Sequence, residues 1–142
     1  MSVEENLKLI DRRVAAFNAH DLDRFVGLHA NSVIAKVPNS PEPFKGRAAF
    51  REFVKGFYTA FPDLQLQKVR AFGQDDWVCG EFILIGTNKG PMPGPGGQMI
   101  PPTNKAMRLG DCTVFKIEGG EITELDAYWD LLGMMAQLGL MK

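Results

Sequence analysis

Residues 106–129 read AMRLGDCTVFKIEGGEITELDAYW, and this stretch predicts two β-strands, residues 106–117 and 121–129, joined by a tight turn. A three-residue loop over residues 118–120, with Gly120 in the left-handed region, places the odd-numbered residues of both strands on one face. A two-residue Gly-Gly loop would mix the faces and leave no clean apolar side, which argues against it. The odd face is the more apolar, so we expect it to point towards the core. Its members are Met107, Leu109, Asp111, Thr113, Phe115, Ile117, Leu125, Ala127 and Trp129.

Asp111 is the exception on this face, a carboxylate among apolar side chains. Burying a charge without a partner costs stability, so the position needs a hydrogen bond, a cation or a raised pKa. Two interpretations stay open. Asp111 pairs with a backbone amide or an arginine near the strand end, or it is a general acid or base in a pocket. Arg108 and Lys116 are even-numbered and point away, so desolvation is unopposed on these strands and we expect the pKa of Asp111 to be raised.

Upstream of the hairpin the sequence predicts three helices and a short strand. A first helix carries an apolar stripe at spacings of four and three, made of Val3, Leu7, Ile10, Val14 and Phe17. Asp21 can cap a second helix, and a third runs from about Arg47 to Ala60. Residues 31–35 read as a short strand, and the prolines of residues 37–43 predict a loop.

The second half of the chain is predicted to be rich in β-strands. Residues 64–72 and 77–87 predict two strands before the hairpin, and a short helix follows it with Asp130 at the N-cap position. Between them, residues 88–104 form a long Pro/Gly loop that is either a lid or simply mobile. Helices first and strands afterwards favour an α+β fold, with helices on one face of a curved antiparallel sheet. We expect one domain over residues 1–142.

Composition excludes several classes of partner. The 142 residues carry 16 Lys and Arg against 17 Asp and Glu, so no basic excess attracts nucleic acid. No apolar run is long enough to span a membrane, and the acidic, polar start is unlike a secretory signal, so we expect a cytoplasmic protein. Two cysteines are too few for a disulfide framework or a zinc site, and His20 and His29 are isolated. No phosphate loop or dinucleotide fingerprint is present, and we expect no cofactor and no metal.

Several short segments, spread over nearly the whole chain, share one order and spacing with a known family. They are AFNAHDLD (16–23), FKGRAAF (44–50), FPD (61–63), the stretch 90–103, GGEITE (119–124), YWD (128–130) and QLG (137–139). In these segments the chain resembles the SnoaL-like polyketide cyclases of the nuclear transport factor 2-like superfamily. The resemblance implies a cone, in which three N-terminal helices close the concave face of the sheet around a ligand cavity. It also implies dimers built on the outer surface of the sheet.

The resemblance further implies where catalytic residues would stand. The polyketide cyclases of this type use an inward His–Asp pair on the last two strands, and those positions are Thr113 and Ala127 here. Ketosteroid isomerases place a base just before a proline, which is Val37 here, and their hydrogen-bond donor again falls at Thr113. Limonene epoxide hydrolases place an aspartate near Ala127. These acid–base sets are therefore absent, whereas Trp129 matches a residue that packs against ligand in the isomerases and Asp130 falls at the cavity rim.

Two classes of function follow from these observations. The first is a cofactor-independent cyclase or isomerase that acts on a small hydrophobic, cyclic or polyketide-like molecule, with Asp111 as the catalytic acid or base. The alternative is a non-catalytic binding or dimerisation module that has lost the family's His–Asp pair. The expected substrate-binding residues are Thr113, Phe115, Leu125, Ala127, Trp129 and Asp130. We also expect a homodimer, because the even-numbered face of the hairpin holds Val114, Ile122 and Tyr128 among charges.

Overall fold

The computed structural model of the protein describes residues 2–94 and 97–141. In chain order its helices and strands are α1 (Val3–Asn18), α2 (Leu22–Gly27), β1 (His29–Lys36), β2 (Phe44–Lys45), α3 (Arg47–Ala60), β3 (Gln65–Gln74), β4 (Trp77–Thr87), β5 (Met92–Pro93), β6 (Met99–Ile100), β7 (Ala106–Glu118), β8 (Glu121–Trp129) and α4 (Leu131–Gln137). In this part of the chain no helix is long and apolar enough to cross a membrane.

The main sheet confirms the predicted α+β class and corrects one detail of it. Six strands lie in the order β2-β1-β8-β7-β4-β3, and the sheet is curved. Helix α1 packs on β3 and β4, and α3 packs on β1, so the helices cover one face, which we call the inner face. The prediction of an antiparallel sheet was wrong, because β1 runs parallel to β8, with Ala35 opposite Leu125. Strand β8, which comes late in the chain, lies between β1 and β7, and its pairing with β1 is one that no local pattern encodes.

The helices begin where the caps predict. The Asp21 carboxylate accepts a hydrogen bond from the backbone N–H of Arg24 (3.1 Å), and Asp130 does the same for Gly133 (2.8 Å). Helix α3 occupies the predicted residues. On α1, however, the face that is buried is rotated around the helix axis relative to the predicted apolar stripe and coincides with it only in part. The residues that this face buries are Asn6, Leu9, Ile10, Arg13, Ala16 and Phe17.

The β7–β8 turn differs from the predicted three-residue loop. Glu118 pairs with Glu121 across a two-residue Gly119-Gly120 turn in which both glycines have positive φ, 59° and 78°. A register shift then follows, so that Lys116 pairs with Glu124 and one residue of β8 is extra. This bulge restores the pairing of odd with odd residues, so the inner face is the predicted one although the loop length was wrong.

The bulge also moves one residue to the other face. Ile122 was expected on the outer face of the hairpin, but it is fully buried. Outward-facing positions of the same strands include Cys112, whose Sγ atom lies 3.6 Å from that of Cys79 on β4. Both cysteines are free thiols.

The long 88–104 loop is anchored at its base by Asn88. This side chain is fully buried, and its Nδ2 donates hydrogen bonds to the carbonyl oxygens of Ala60 (3.1 Å) and Gly90 (3.0 Å). Its Oδ1 accepts from the backbone N–H of Thr103 (2.8 Å). Within the loop, β5 and β6 form a small two-stranded sheet; residues 95 and 96 lie outside the described residues.

Candidate functional site

A cavity of about 80 Å³ lies between the helices and the inner face of the main sheet. Most of its wall is apolar, and much of that is aromatic. The lining residues are Arg13, Phe17, Phe25, Val37, Phe50, Phe53, Val54, Phe57, Leu64, Leu66, Leu84, Asp111, Thr113, Leu125, Ala127 and Trp129. Two of them, Arg13 and Asp111, are ionisable, so the chemistry of the cavity depends on this pair.

Strand β7 presents Asp111 to the cavity. The Thr113 hydroxyl, two residues along the same strand face, donates a hydrogen bond to Asp111 Oδ1 over 2.7 Å. Burial raises the pKa of Asp111, while the Thr113 hydrogen bond and the positive charge of Arg13 lower it. The raised pKa agrees with the sequence-based expectation. The assumption of unopposed desolvation was wrong, because the opposing cation comes from helix α1 and not from the two strands.

That cation, Arg13, is buried and contacts three side chains. Its Nε donates a hydrogen bond to His29 Nε2 over 3.1 Å. Its guanidinium carbon lies 4.7 Å from the ring centroid of Phe25 and 4.8 Å from that of Phe115, two cation–π contacts. Burial lowers the pKa of Arg13 to about 10, and the charge of Asp111 acts against this. Arg13 is therefore still a cation at neutral pH.

His29 orients the arginine and is itself neutral. It is fully buried, and its Nδ1 donates to the carbonyl oxygen of Phe25 over 3.0 Å, which leaves Nε2 as the acceptor for Arg13. Burial and the nearby arginine hold the pKa of His29 well below its usual value. Across residues 2–94 and 97–141, no three His, Cys, Asp or Glu side chains converge as metal ligands.

Trp129 forms one flat wall of the cavity. Its indole Nε1 donates to Asn39 Oδ1 over 2.9 Å, and its ring meets Phe57 of α3 edge to face, with the centroids 6.0 Å apart. The indole lies on β8 directly opposite Asp111. The aromatic surface is therefore fixed beside the carboxyl group.

The structure places the predicted site residues in three groups. Asp111, Thr113, Leu125, Ala127 and Trp129 line the cavity together. Phe115 is fully buried under the Arg13 guanidinium and is not among the lining residues. Asp130 caps α4, as its N-cap position predicts, and is likewise not among the lining residues.

Sequence reasoning missed Arg13 and the aromatic wall supplied by α3. One signal was available for the arginine. Leu9, Ile10, Ala16 and Phe17 stand three or four residues from position 13, which places Arg13 in the middle of an apolar helix face. The predicted stripe instead ran through Val14, one residue further on.

Comparison with solved structures defines the class of the fold. The chain is similar to a provisionally assigned SnoaL-like polyketide cyclase from a Jannaschia species (TM-score 0.85, 20% identity, 98% of this chain and 94% of that one). It is also similar to AclR, a provisionally assigned hydroxylase from Streptomyces galilaeus (TM-score 0.83, 20% identity, 99% and 100%). A Catenulispora acidiphila protein with a ketosteroid isomerase-like fold matches with a TM-score of 0.77 at 19% identity over 94% and 93%. At these identities the likeness shows the fold alone, which is ketosteroid isomerase-like.

The family follows from the sequence of the chain itself. The family model for SnoaL-like polyketide cyclases matches residues 8–138. The chain therefore belongs to the SnoaL-like polyketide cyclase family, as the sequence resemblance implied.

Proposed function

We propose that the protein is a cofactor-independent enzyme that moves a proton on a small hydrophobic carbonyl compound, cyclic or polyketide-like, with Asp111 as the acid or base. The observation that carries the proposal is a single carboxyl group with a raised pKa in an apolar cavity. A pKa raised towards the working pH makes the carboxylate a stronger base, and it also makes the acid form available to return the proton.

The proposed step is proton abstraction from a carbon next to a carbonyl group. Asp111 Oδ1 accepts the hydrogen bond of the Thr113 hydroxyl, whereas Oδ2 has no hydrogen bond from the described residues. Oδ2 is therefore the atom that takes the proton. The C–H electron pair moves into an enolate, and the same oxygen then returns the proton to another position. Trp129, held by Asn39, supplies a flat surface for the ring of the substrate.

The size of the cavity supports a small substrate. At about 80 Å³ it is well below the roughly 300–1,000 Å³ of pockets that hold drug-sized ligands. Thr113 and Ala127 also stand where the resemblance expects a His–Asp pair. We therefore expect the purified protein not to cyclise anthraquinone-type esters, and clear turnover of such an ester would contradict this.

The test is deuterium exchange at the α-carbon of cyclohexanone in D₂O, followed by NMR. We expect the wild-type protein to accelerate exchange, and Asp111→Asn to lose the acceleration by about 100-fold or more, the usual contribution of a general base. Asp126→Asn is the matched control, because Asp126 lies on the opposite face of the same hairpin. If exchange is equally fast with Asp111→Asn, the proposed base is wrong.

The non-catalytic alternative has one observation in its favour, the loss of the family's acid–base residues at positions 113 and 127. It predicts that cyclohexanone binds in the cavity, seen as NMR shifts of Trp129, without any accelerated exchange. Binding without accelerated exchange would refute the proposed enzyme activity and support a non-catalytic binding module.

A further inference from the structure

Arg13 is a charged side chain without a charged partner in contact. Within residues 2–94 and 97–141, no carboxylate oxygen lies within 4.0 Å of its nitrogens. Its Nε is used by His29, whereas Nη1 and Nη2 have no hydrogen bond from the described residues. Among those residues, Asn6 Oδ1 is the one fully enclosed polar side-chain atom that lacks a partner. Because Nη1 and Nη2 of Arg13 also lack a partner but are not among the enclosed atoms, each retains some accessible surface. Arg13 lines the cavity.

We propose that Arg13 binds an anionic oxygen of the ligand, and that the natural ligand is a compact apolar molecule that carries a carboxylate, an enolate or a phenolate. This inference shares its cavity with the proposed function and rests on it for the location of the ligand. It adds the chemical class of the molecule, which the proposal of a proton-moving carboxyl group leaves open.

Packing alone does not account for an arginine at this position. Every other buried residue of α1 that contacts the cavity or core is apolar, except Asn6. Removing a guanidinium from water is costly, and an apolar side chain in contact with these two phenyl rings would avoid that cost. An anion in the cavity would restore the balance by binding the two free nitrogens of the planar fork, the geometry that suits carboxylates and related oxygen pairs.

The arginine is also positioned in advance for such a ligand. The Phe25 and Phe115 rings fix the plane of the guanidinium, and His29 fixes its rotation. Asp111 does not occupy the anion site, because it forms no ion pair with Arg13 and its own hydrogen bond comes from Thr113. The cation and the carboxyl group therefore line the same cavity without forming an ion pair, so the guanidinium is not neutralised by direct contact with Asp111.

The experiment compares benzoate with benzamide, two probes of nearly equal shape that differ in charge. Binding to the full chain is measured by NMR titration at neutral pH. We expect the wild-type protein to bind benzoate at least about tenfold more tightly, the effect of one charge-assisted hydrogen bond. Arg13→Met should abolish this preference. Arg51→Met is the matched control, because the Arg51 side chain is 40% exposed, pairs with Asp23 and does not line the cavity, and it should keep the preference.

A second readout does not depend on whether Arg13→Met folds. In the wild-type protein the Nε–H resonance of Arg13 should shift on addition of benzoate and stay in place with benzamide. Equal affinity for the two probes, no binding of either, or an unchanged Arg13 resonance would each overturn the inference. Loss of cyclohexanone exchange with a retained preference for benzoate would instead refute the proposed function alone.

Discussion

At the scale of single residues, the character of the cavity depends on Arg13 and Asp111, which line it without forming an ion pair. Each residue interrupts an apolar pattern in its own element, and burying either charge without a partner would cost stability. Asp111 was recognised because its strand alternates cleanly, so one polar member stood out. Arg13 was missed because its helix offered two overlapping apolar stripes, and the sequence-based choice placed it outside.

The Asp111→Asn variant tests the electrostatics of this pair. Because burial raises the folded-state pKa of Asp111, the folded protein holds this proton more tightly than the unfolded chain. The wild-type free energy of unfolding should therefore fall as pH rises from the unfolded value, near 3.8, through the higher folded value. The variant has no such loss, so it should gain stability relative to wild type between acidic and neutral pH.

Thermal unfolding of both proteins at pH 3, 5 and 7 measures this gain, with Asp126→Asn as the control on the opposite face. The groups that face Asp111 are Arg13 on α1 and Thr113 on β7. If Asp111→Asn is markedly less stable than wild type at pH 7, Asp111 is ionised and its attraction to Arg13 exceeds the cost of burial. Asp111 would then have a structural role.

At the scale of elements, the β7–β8 hairpin depends on two glycines and one bulge. Gly119 and Gly120 adopt left-handed conformations that fit the twist of a two-residue turn. The bulge beyond them places the inner-face residues opposite one another, including Asp111 and Trp129. The geometry of the cavity wall therefore depends on a turn some distance along the strand.

Gly119→Ala isolates the cost of that turn. At φ 59° a Cβ atom is strained, although no atom lies within 4 Å of it, so we expect a loss of about 1 kcal/mol in unfolding free energy. Gly56→Ala is the contrasting control, because Gly56 lies inside α3 with open space around it. That change should stabilise the protein by about 0.5–1 kcal/mol. Urea unfolding measures both, and equal effects of the two substitutions would contradict the backbone strain expected at position 119.

At the scale of the whole molecule, the outer face of the sheet carries large exposed aromatic side chains. Phe72 and Tyr128 are each 61% exposed and Trp77 is 44% exposed, and the strand register places all three on this face. Charged residues, including the Arg70–Glu81 ion pair, are interspersed among them. We propose that this face forms a homodimer interface. Ile122, which the sequence predicted to be part of it, is buried and does not contribute.

Tyr128→Glu tests the dimer by placing a charge on the proposed interface. We expect wild-type protein to sediment at micromolar concentration with twice the mass of one chain. A stable dimer interface on this face would bury over ~1,000 Å² in total. The variant should sediment as a monomer. Met99→Glu, which changes an exposed residue of the loop strand β6, should remain dimeric. A monomeric wild-type protein would exclude the proposal.

The local features of the fold were predictable from sequence because their causes are local. The bounds of α3 and β4, the caps at Asp21 and Asp130 and the inner face of the hairpin depend on neighbours within a few residues. The family also follows from the sequence, through several short segments taken together along the chain and not through any one of them. The part of the candidate site that lies on the β7–β8 hairpin, from Asp111 to Trp129, could therefore be predicted from the sequence.

The tertiary structure alone decided which distant segments meet. It placed β1 parallel to β8, buried Arg13 on the inner side of α1, and brought the aromatic residues of α3 into the same cavity wall as Asp111. These arrangements are set by the total apolar area that the packed elements bury together, which outweighs the area that any single apolar stripe of a helix would bury. For this reason the sequence determined the elements and the carboxyl group, whereas the cation that faces it became visible only when α1 was packed on the sheet.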